Sequence, residues 1–333
     1  MDKMKIGKSG VEAPVLVLGS FGMGGGTSWQ DTTNDDNELI NFIKEAHAAG
    51  IVGIDTAPVY GLGRSESIVG RAIKEDRENW YLSTKCANQW RTAEGSFLYT
   101  RDGKSVYRNF TKASLIADVE ESLQRLGTDY IDLMIVHQPP ALDQVAEVMD
   151  AMQTVKDRGL VKAVGLSNTC LTDHAIELVE TALKYGEVDL VQEHASLLFR
   201  NNLGDFLKMC EKNDIVFQDY SGLEKGALAG KIIDGITTMT GDNRSKYKWF
   251  QPAGVAKLNE LTLALQPIAE KYGCTIPVLV LAWLRQQSDN ICLLVGARKM
   301  KSILDTMKVL DVKIDAADLA EMTRLSDVAN EGL

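Results

Sequence analysis

The sequence predicts an α/β chain folded as a (β/α)8 TIM barrel with long βα loops and a C-terminal helical extension, occupying residues 1–333 as one domain. Three observations carry this. Short β-rich runs alternate with long amphipathic stretches about eight times, the number that closes a barrel. Those runs are continuously apolar, as strands buried on both faces of a parallel sheet are. The Gly-x-Gly-x-x-Gly turn of a doubly wound dinucleotide fold is missing after the early strands. Gly61-Leu62-Gly63 begins like one, but Glu66 holds the sixth position, and Ser65 reads as the N-cap of a following helix.

Taken in order, a hairpin-like, Gly-containing stretch leads into a first strand over 15–18. The dense glycines from Gly22 to Gly26 then read as a flexible loop above the barrel mouth. Helix 37–49 follows, then strands 52–55 and 81–84. Helix 112–126 precedes strand 131–136, and helix 144–158 precedes strand 163–166. Helix 172–184, strand 190–192, helix 204–213 and strand 215–218 continue the alternation. Helix 277–287 and strand 291–295 complete it. Residues 89–111, 222–255 and the tail beyond Lys313 read as insertions. The first two are long loops after strands, where compact proteins place lids and binding surfaces.

Composition narrows the function. Hydrophobic residues make up 45% and charged residues 25% of the 333, which suits a globular protein with a large core. A formal net charge of -10 argues against a nucleic-acid binder, which needs a surplus of Lys and Arg on its binding face. The N-terminus lacks the apolar core of a secretory signal, and the longest apolar run, 278–284, is far short of the roughly 20 residues that span a bilayer. A cytoplasmic protein with no membrane partner is expected. Five cysteines without Cys-x-x-Cys spacing and four histidines without ligand spacing predict neither disulfides nor a metal site.

The chemistry is predicted by what stands at the strand ends. Asp55, Lys85 and His137 each follow a short apolar run, and Tyr60 lies just past Asp55. Side chains at the C-terminal ends of barrel strands converge on one mouth. There a Lys85 ammonium would lower the high pKa of Tyr60, Asp55 would hold Lys85, and His137 would orient a substrate carbonyl.

These residues match a known pattern. Asp55-Thr56-Ala57-x-x-Tyr60-Gly61-x-Gly63-Arg64-Ser65-Glu66, Thr84-Lys85, Arg125 to Leu133 with His137, and Gly165-Leu166-Ser167-Asn168 resemble the aldo-keto reductases, specifically a bacterial branch similar to inositol-operon-associated reductases. The resemblance covers nearly the whole chain and implies that Asp55, Tyr60, Lys85 and His137 form a catalytic tetrad, with Tyr60 the acid in reduction of an aldehyde or ketone by NADPH. It also implies a nicotinamide site: Ser167, Asn168 and Gln192 on the carboxamide, Tyr220 stacked on the ring, and Gly19, Ser20 and Phe21 near ring and ribose. Ser221 and Leu223 belong to the pyrophosphate loop. Gly296, Arg298, Ser302 and Asp305 belong to the segment for the adenosine end. The chain departs from the family at Gly222, where Pro is common and whose absence predicts a looser loop, and at Asp305 and Thr306, where Glu and Asn are usual.

Physics supports an anion at that last segment. Arg298, Lys299 and Lys301 cluster where a helix should start, although the helix dipole disfavours cations there. A phosphate reverses the balance, which favours NADPH, with NADH as the alternative cofactor.

Plainer readings compete. Singly, Asp55 is a strand brace, Tyr60 a loop aromatic and Lys85 an ion-pair partner; jointly, in these local words, they make a site. His174 and His194 read as ordinary satisfied or solvated side chains. Cys86 reads as a small apolar residue facing away from Lys85. Phe21, Trp29, Trp90 and Trp249 are candidates to line an apolar substrate pocket, with lid packing as the alternative. Two other functions are weighed: a non-catalytic nicotinamide-binding regulatory subunit, and a Schiff-base aldolase using Lys85, which the charge of Asp55 disfavours.

Overall fold

In the computed structural model, which describes residues 2–25, 35–232, 243–297 and 299–333, eight parallel strands close into a barrel. An antiparallel hairpin, β1 (Lys3–Lys5) and β2 (Glu12–Pro14), comes first. The barrel then begins with β3 (Leu16–Gly19), β4 (Gly53–Asp55) and β5 (Tyr81–Cys86). An antiparallel excursion follows, formed by β6 (Asn88–Gln89), β7 (Ser96–Arg101) and β8 (Lys104–Arg108) in the order β6-β8-β7. The barrel resumes with β9 (Ile131–Val136), β10 (Val161–Ser167), β11 (Leu190–His194), β12 (Val216–Tyr220) and β13 (Ile291–Gly296). Neighbours pair in chain order, and β13 pairs with β3 to close the ring. All eight expected strands are present, with ends within two residues of expectation.

Alternation along the strands sorts the core into two layers. Tyr81, Leu133, Ile135, Ala163, Leu190 and Cys292 pack inside the barrel with Ile6 and Ala13 of the hairpin region. Leu82, Cys86, Met134 and Val136 face the helices instead. Cys86 thus packs outward, as the alternation predicts. On β5 the same alternation turns Lys85 to the interior, in step with Tyr81.

The helices are α1 (Asp36–Ala48), α2 (Arg64–Ile73), α3 (Lys112–Leu126), α4 (Val145–Asp157), α5 (Ala175–Tyr185), α6 (Leu203–Lys212), α7 (Pro252–Lys271), α8 (Ile276–Arg285), α9 (Met300–Met307) and α10 (Ala316–Asn330). Two differ from expectation. The N-cap of α2 is Gly63 at φ 94°, not Ser65, which lies fully buried one residue inside the helix. Its hydroxyl joins those of Ser20 at 2.7 Å and Thr56 at 2.9 Å, so it bonds across the barrel rim rather than capping. The 20-residue α7 begins inside the segment read as a loop and carries Pro267 in its interior, a residue that reads as a helix break.

The expected C-terminal extension is α10. Trp283 of α8 donates its indole N–H to Leu319 O and Thr323 Oγ1, and Ser326 donates to Leu197 O at 2.5 Å. Among the described residues no helix is long and apolar enough to cross a membrane.

Candidate active site

Every barrel strand delivers a candidate residue at or near its C-terminal end. Gly19 ends β3, Asp55 ends β4, Lys85 is the next-to-last residue of β5, and His137 directly follows β9. Ser167 ends β10, Gln192 lies in β11, Tyr220 ends β12 and Gly296 ends β13. Register puts them level: Gly19 faces Asp55, Ser167 faces Gln192, and Gly296 faces Gly19.

Lys85 and Asp55 form a buried ion pair, Nζ to Oδ1 at 2.5 Å, with each side chain 1% exposed. Lys85 also donates to Thr56 O at 2.8 Å. The second Asp55 oxygen accepts from Ser83 Oγ at 2.8 Å and Gln192 Nε2 at 3.1 Å. Gln192 donates in turn to Gln218 Oε1 at 2.7 Å, and Gln218 reaches Cys292 Sγ at 3.2 Å. A hydrogen-bonded chain therefore runs from Asp55 into the barrel and fixes the pair from below.

Tyr60 stands over this pair. Lys85 Nζ is 5.0 Å from its ring centroid, close enough for its charge to act on the phenol. The rings of Tyr60 and His137 meet edge to face at 6.0 Å. Phe21, half exposed, meets Tyr60 edge to face at 5.1 Å from the other side.

Burial sets the protonation states. It lifts the Tyr60 hydroxyl above its ordinary value, and the Lys85 charge, which pulls the other way, does not overcome it. The sequence reading expected a net lowering; depth in the mouth outweighs the ammonium. Burial alone would push Lys85 down, but Asp55 and Tyr60 together hold its ammonium above the ordinary value. His137 is held well below the usual histidine range by burial, by Lys85 and by Arg108. The site thus pairs a protonated phenol and a neutral imidazole with a fixed ammonium, the set that can protonate an oxygen and stabilise the charge left behind.

The expected cofactor residues form one arc of the same mouth. Asn168, at φ 61°, donates to His137 O at 2.8 Å and accepts from the Tyr220 hydroxyl at 2.6 Å, bracing one candidate against another. Ser167 donates to Gln192 O. Both hydrogen bonds of the Gln192 amide run through Nε2, to Asp55 and Gln218. Tyr220 stacks on His194 at 5.4 Å, and His194 on Phe199 at 4.1 Å, giving the Tyr220 ring a rigid backing. Ser221 takes φ 60° and its carbonyl accepts from Glu224 N, while Leu223 is partly buried against the core. Gly222 is a close-approach glycine: a Cβ there would stand 2.6 Å from Asp219 Oδ2 and 2.9 Å from Leu281. Proline would clash at this position.

The adenosine-end segment fits an anion. The first turn of α9 has no acidic residue and no side-chain cap, Lys299 and Lys301 are exposed beside it, and a Cβ at Gly296 would meet open space. Ser302 is exposed on that turn. Arg298 lies outside the described residues. Asp305 is engaged elsewhere, accepting from Thr275 Oγ1 at 2.7 Å and pairing with Lys308 at 3.0 Å.

The pocket candidates divide. Phe21 stands at the mouth. Trp90 lies over Arg125 at 5.5 Å and Lys104 at 6.0 Å, so its ring contacts belong to the hairpin and α3. Trp249 is 4% exposed and belongs to the core, its backbone close to Gly254 in the first turn of α7. Trp29 lies outside the described residues. Ser20, near the cofactor arc by sequence, is fully buried with its hydroxyl on Ser65. Sequence reasoning missed Ser83 and Gln218, although each sits two residues before a named site residue and so on its face of the strand.

Comparison with known proteins agrees with this fold. The model of the "Aldo/keto reductase family" matches residues 15–327. The chain is 35% identical over 331 residues, covering 98% of itself and 99% of the relative, to the NADH-specific methylglyoxal reductase of Escherichia coli (strain K12). It is 33% identical over 302 residues, covering 90% and 86%, to the aldo-keto reductase YhdN of Bacillus subtilis (strain 168). Among solved structures, the glycerol dehydrogenase of Gluconobacter oxydans superposes with a TM-score of 0.87 at 26% identity, over 100% of this chain and 97% of that one. The chain belongs to the aldo/keto reductase family, as an NAD(P)H-dependent oxidoreductase that reduces an aldehyde or ketone to an alcohol.

Proposed function

We propose that Tyr60 is the proton donor of this reduction, that Lys85 held by Asp55 polarises it, and that His137 orients the carbonyl oxygen beside it. The observation that carries this reading is the buried Lys85–Asp55 pair under the Tyr60 ring. When bound, a reduced nicotinamide supplies hydride to the carbonyl carbon. The Tyr60 proton passes to the carbonyl oxygen, and the phenolate left behind is stabilised by the Lys85 ammonium. In alcohol oxidation the same groups run backwards. Gln192, through its carbonyl oxygen, with Ser167 and Asn168 holds the carboxamide, and Tyr220, backed by His194, carries the ring.

NADPH is the preferred cofactor of this reading, on the strength of Lys299, Lys301 and Ser302 at an uncapped helix start, with Arg298 in the same segment. Small oxygen-rich carbonyls are the substrate class, supported by relatives named for methylglyoxal and glycerol. The whole chain acts as one barrel domain. Its motif around Asp55 and Tyr60 supports a place near the inositol-operon-associated branch. Five free cysteines fit a cytoplasmic location.

The aldolase alternative fares poorly, because a Lys85 held as an ammonium by Asp55 and Thr56 O is a weak nucleophile. The decisive experiment follows cofactor oxidation across aldehydes, ketones and sugars with NADPH and NADH in parallel. Turnover of small oxygenated carbonyls, faster with NADPH, is expected. Binding of the dinucleotide without turnover of any compound would instead favour a regulatory subunit.

A further inference from the structure

Five buried polar side-chain atoms among the described residues lack a hydrogen-bond partner, and three of them, Asn88 Oδ1, Arg108 Nε and His137 Nδ1, belong to one corner of the mouth. The β6-β8 ladder builds that corner. Asn88 pairs opposite Arg108, Asn109 N donates to Ala87 O at 2.9 Å, and His137 N donates to Cys86 O at 3.2 Å. Residues 88, 108 and 137 therefore flank the end of β5, one step from Lys85.

Arg108 differs from the other arginines of this excursion. Arg91 pairs with Asp118 at 2.6 Å and Glu121 at 3.1 Å, and Arg101 pairs with Asp102 at 3.4 Å and donates to Gly25 O at 2.8 Å. Among the described residues no acidic side chain pairs with Arg108, yet its charge is felt at His137. Leaving a charged donor partly desolvated and unpaired is costly. A buried carboxyl escapes that cost by taking up a proton, as Asp219 does; a guanidinium has no such route.

We propose that Arg108, with Asn88 beside it, is a subsite for the anionic end of the carbonyl substrate, a carboxylate or a phosphate a few bonds from the reacting carbon. This rests on the carbonyl-reductase reading above. The anion accepts from Arg108 N–H groups, and the Asn88 amide, whose O and N assignment is interchangeable by a half-turn, presents its NH2 to the same group. Substrates of this class carry their own counter-charge into the corner, so an aldehyde or ketone without one leaves the guanidinium unpaired.

The test uses matched pairs: 4-oxobutanoate against its methyl ester, and glyceraldehyde 3-phosphate against glyceraldehyde. In the intact protein the anionic member of at least one pair should have a kcat/KM about tenfold or more above its neutral partner. The pair with the larger ratio identifies the anion. Arg108→Leu should bring that ratio to about one, and Arg108→Lys should keep part of it, since a point charge replaces a planar fork. Ratios near one in the unmodified protein, or equal loss on both members in Arg108→Leu, would overturn the subsite. If the neutral members turn over without an anionic preference, the subsite alone fails. If no member of either pair and no other carbonyl is reduced, the carbonyl-reductase reading fails with it.

Discussion

Inside the barrel Asp55, Lys85 and Gln192 meet protein partners at 2.5–3.1 Å, whereas at one corner of the mouth Asn88, Arg108 and His137 each keep a buried polar atom without one. The satisfied set sits on the barrel strands; most of the unsatisfied set is carried by the β6-β8 excursion. Groups that move or stabilise a proton gain from being fixed before the reaction, because rearranging them during it would raise the barrier. Groups that recognise a ligand gain from being left for it, because a partner already in place must first be displaced.

The most damaging way to break the satisfied set is Asp55→Asn. It leaves the Lys85 ammonium buried without its counter-charge, and urea unfolding should show a loss of about 3–5 kcal/mol. A loss under about 1 kcal/mol would mean the pair does not anchor the rim.

The pH profile sharpens the comparison next. Tyr60 lies above its ordinary 10.0 and stays protonated below it; His137 lies well below 6.5 and stays neutral above it. Both are therefore in their working states between those values, and kcat for reduction should be flat across that window in steady-state assays. A titration midpoint inside it would show that one group is set differently from this account.

A further contrast concerns Asp219, whose Oδ2 is buried without a partner on the cofactor-loop side. Burial raises its pKa from 3.8 to about 8. The folded chain then binds a proton that the unfolded chain releases, so stability falls as pH rises from about 4 to about 8. Asp219→Asn removes that slope. Thermal unfolding at pH 5 and pH 8.5 should show the unmodified protein losing more Tm than the variant, and parallel losses would contradict the assignment.

Much of this was legible from residue order. The eight strands were readable because each is a continuous apolar run, and the catalytic candidates because strand ends in a barrel share one mouth. What escaped was depth and register. Nothing local says that Trp249 is core or that burial outweighs Lys85 at Tyr60, since both depend on what the fold stacks above them. α7 went unread altogether, and Pro267 in its interior is no signal of a helix. The β7-β8 hairpin left a trace, however: Asp102-Gly103, at φ 49° and 73°, is the dipeptide of a tight two-residue turn. Reading it would have exposed the hairpin, though not the neighbour of Arg108, which only the fold supplies.

The account stands on the Tyr60 hydroxyl as proton donor. Tyr60→Phe tests it most directly, with turnover and NADPH quenching of tryptophan fluorescence measured on the same preparation. The expected result is kcat lowered about 10²- to 10⁴-fold with quenching retained. Turnover near that of the unmodified protein would contradict it.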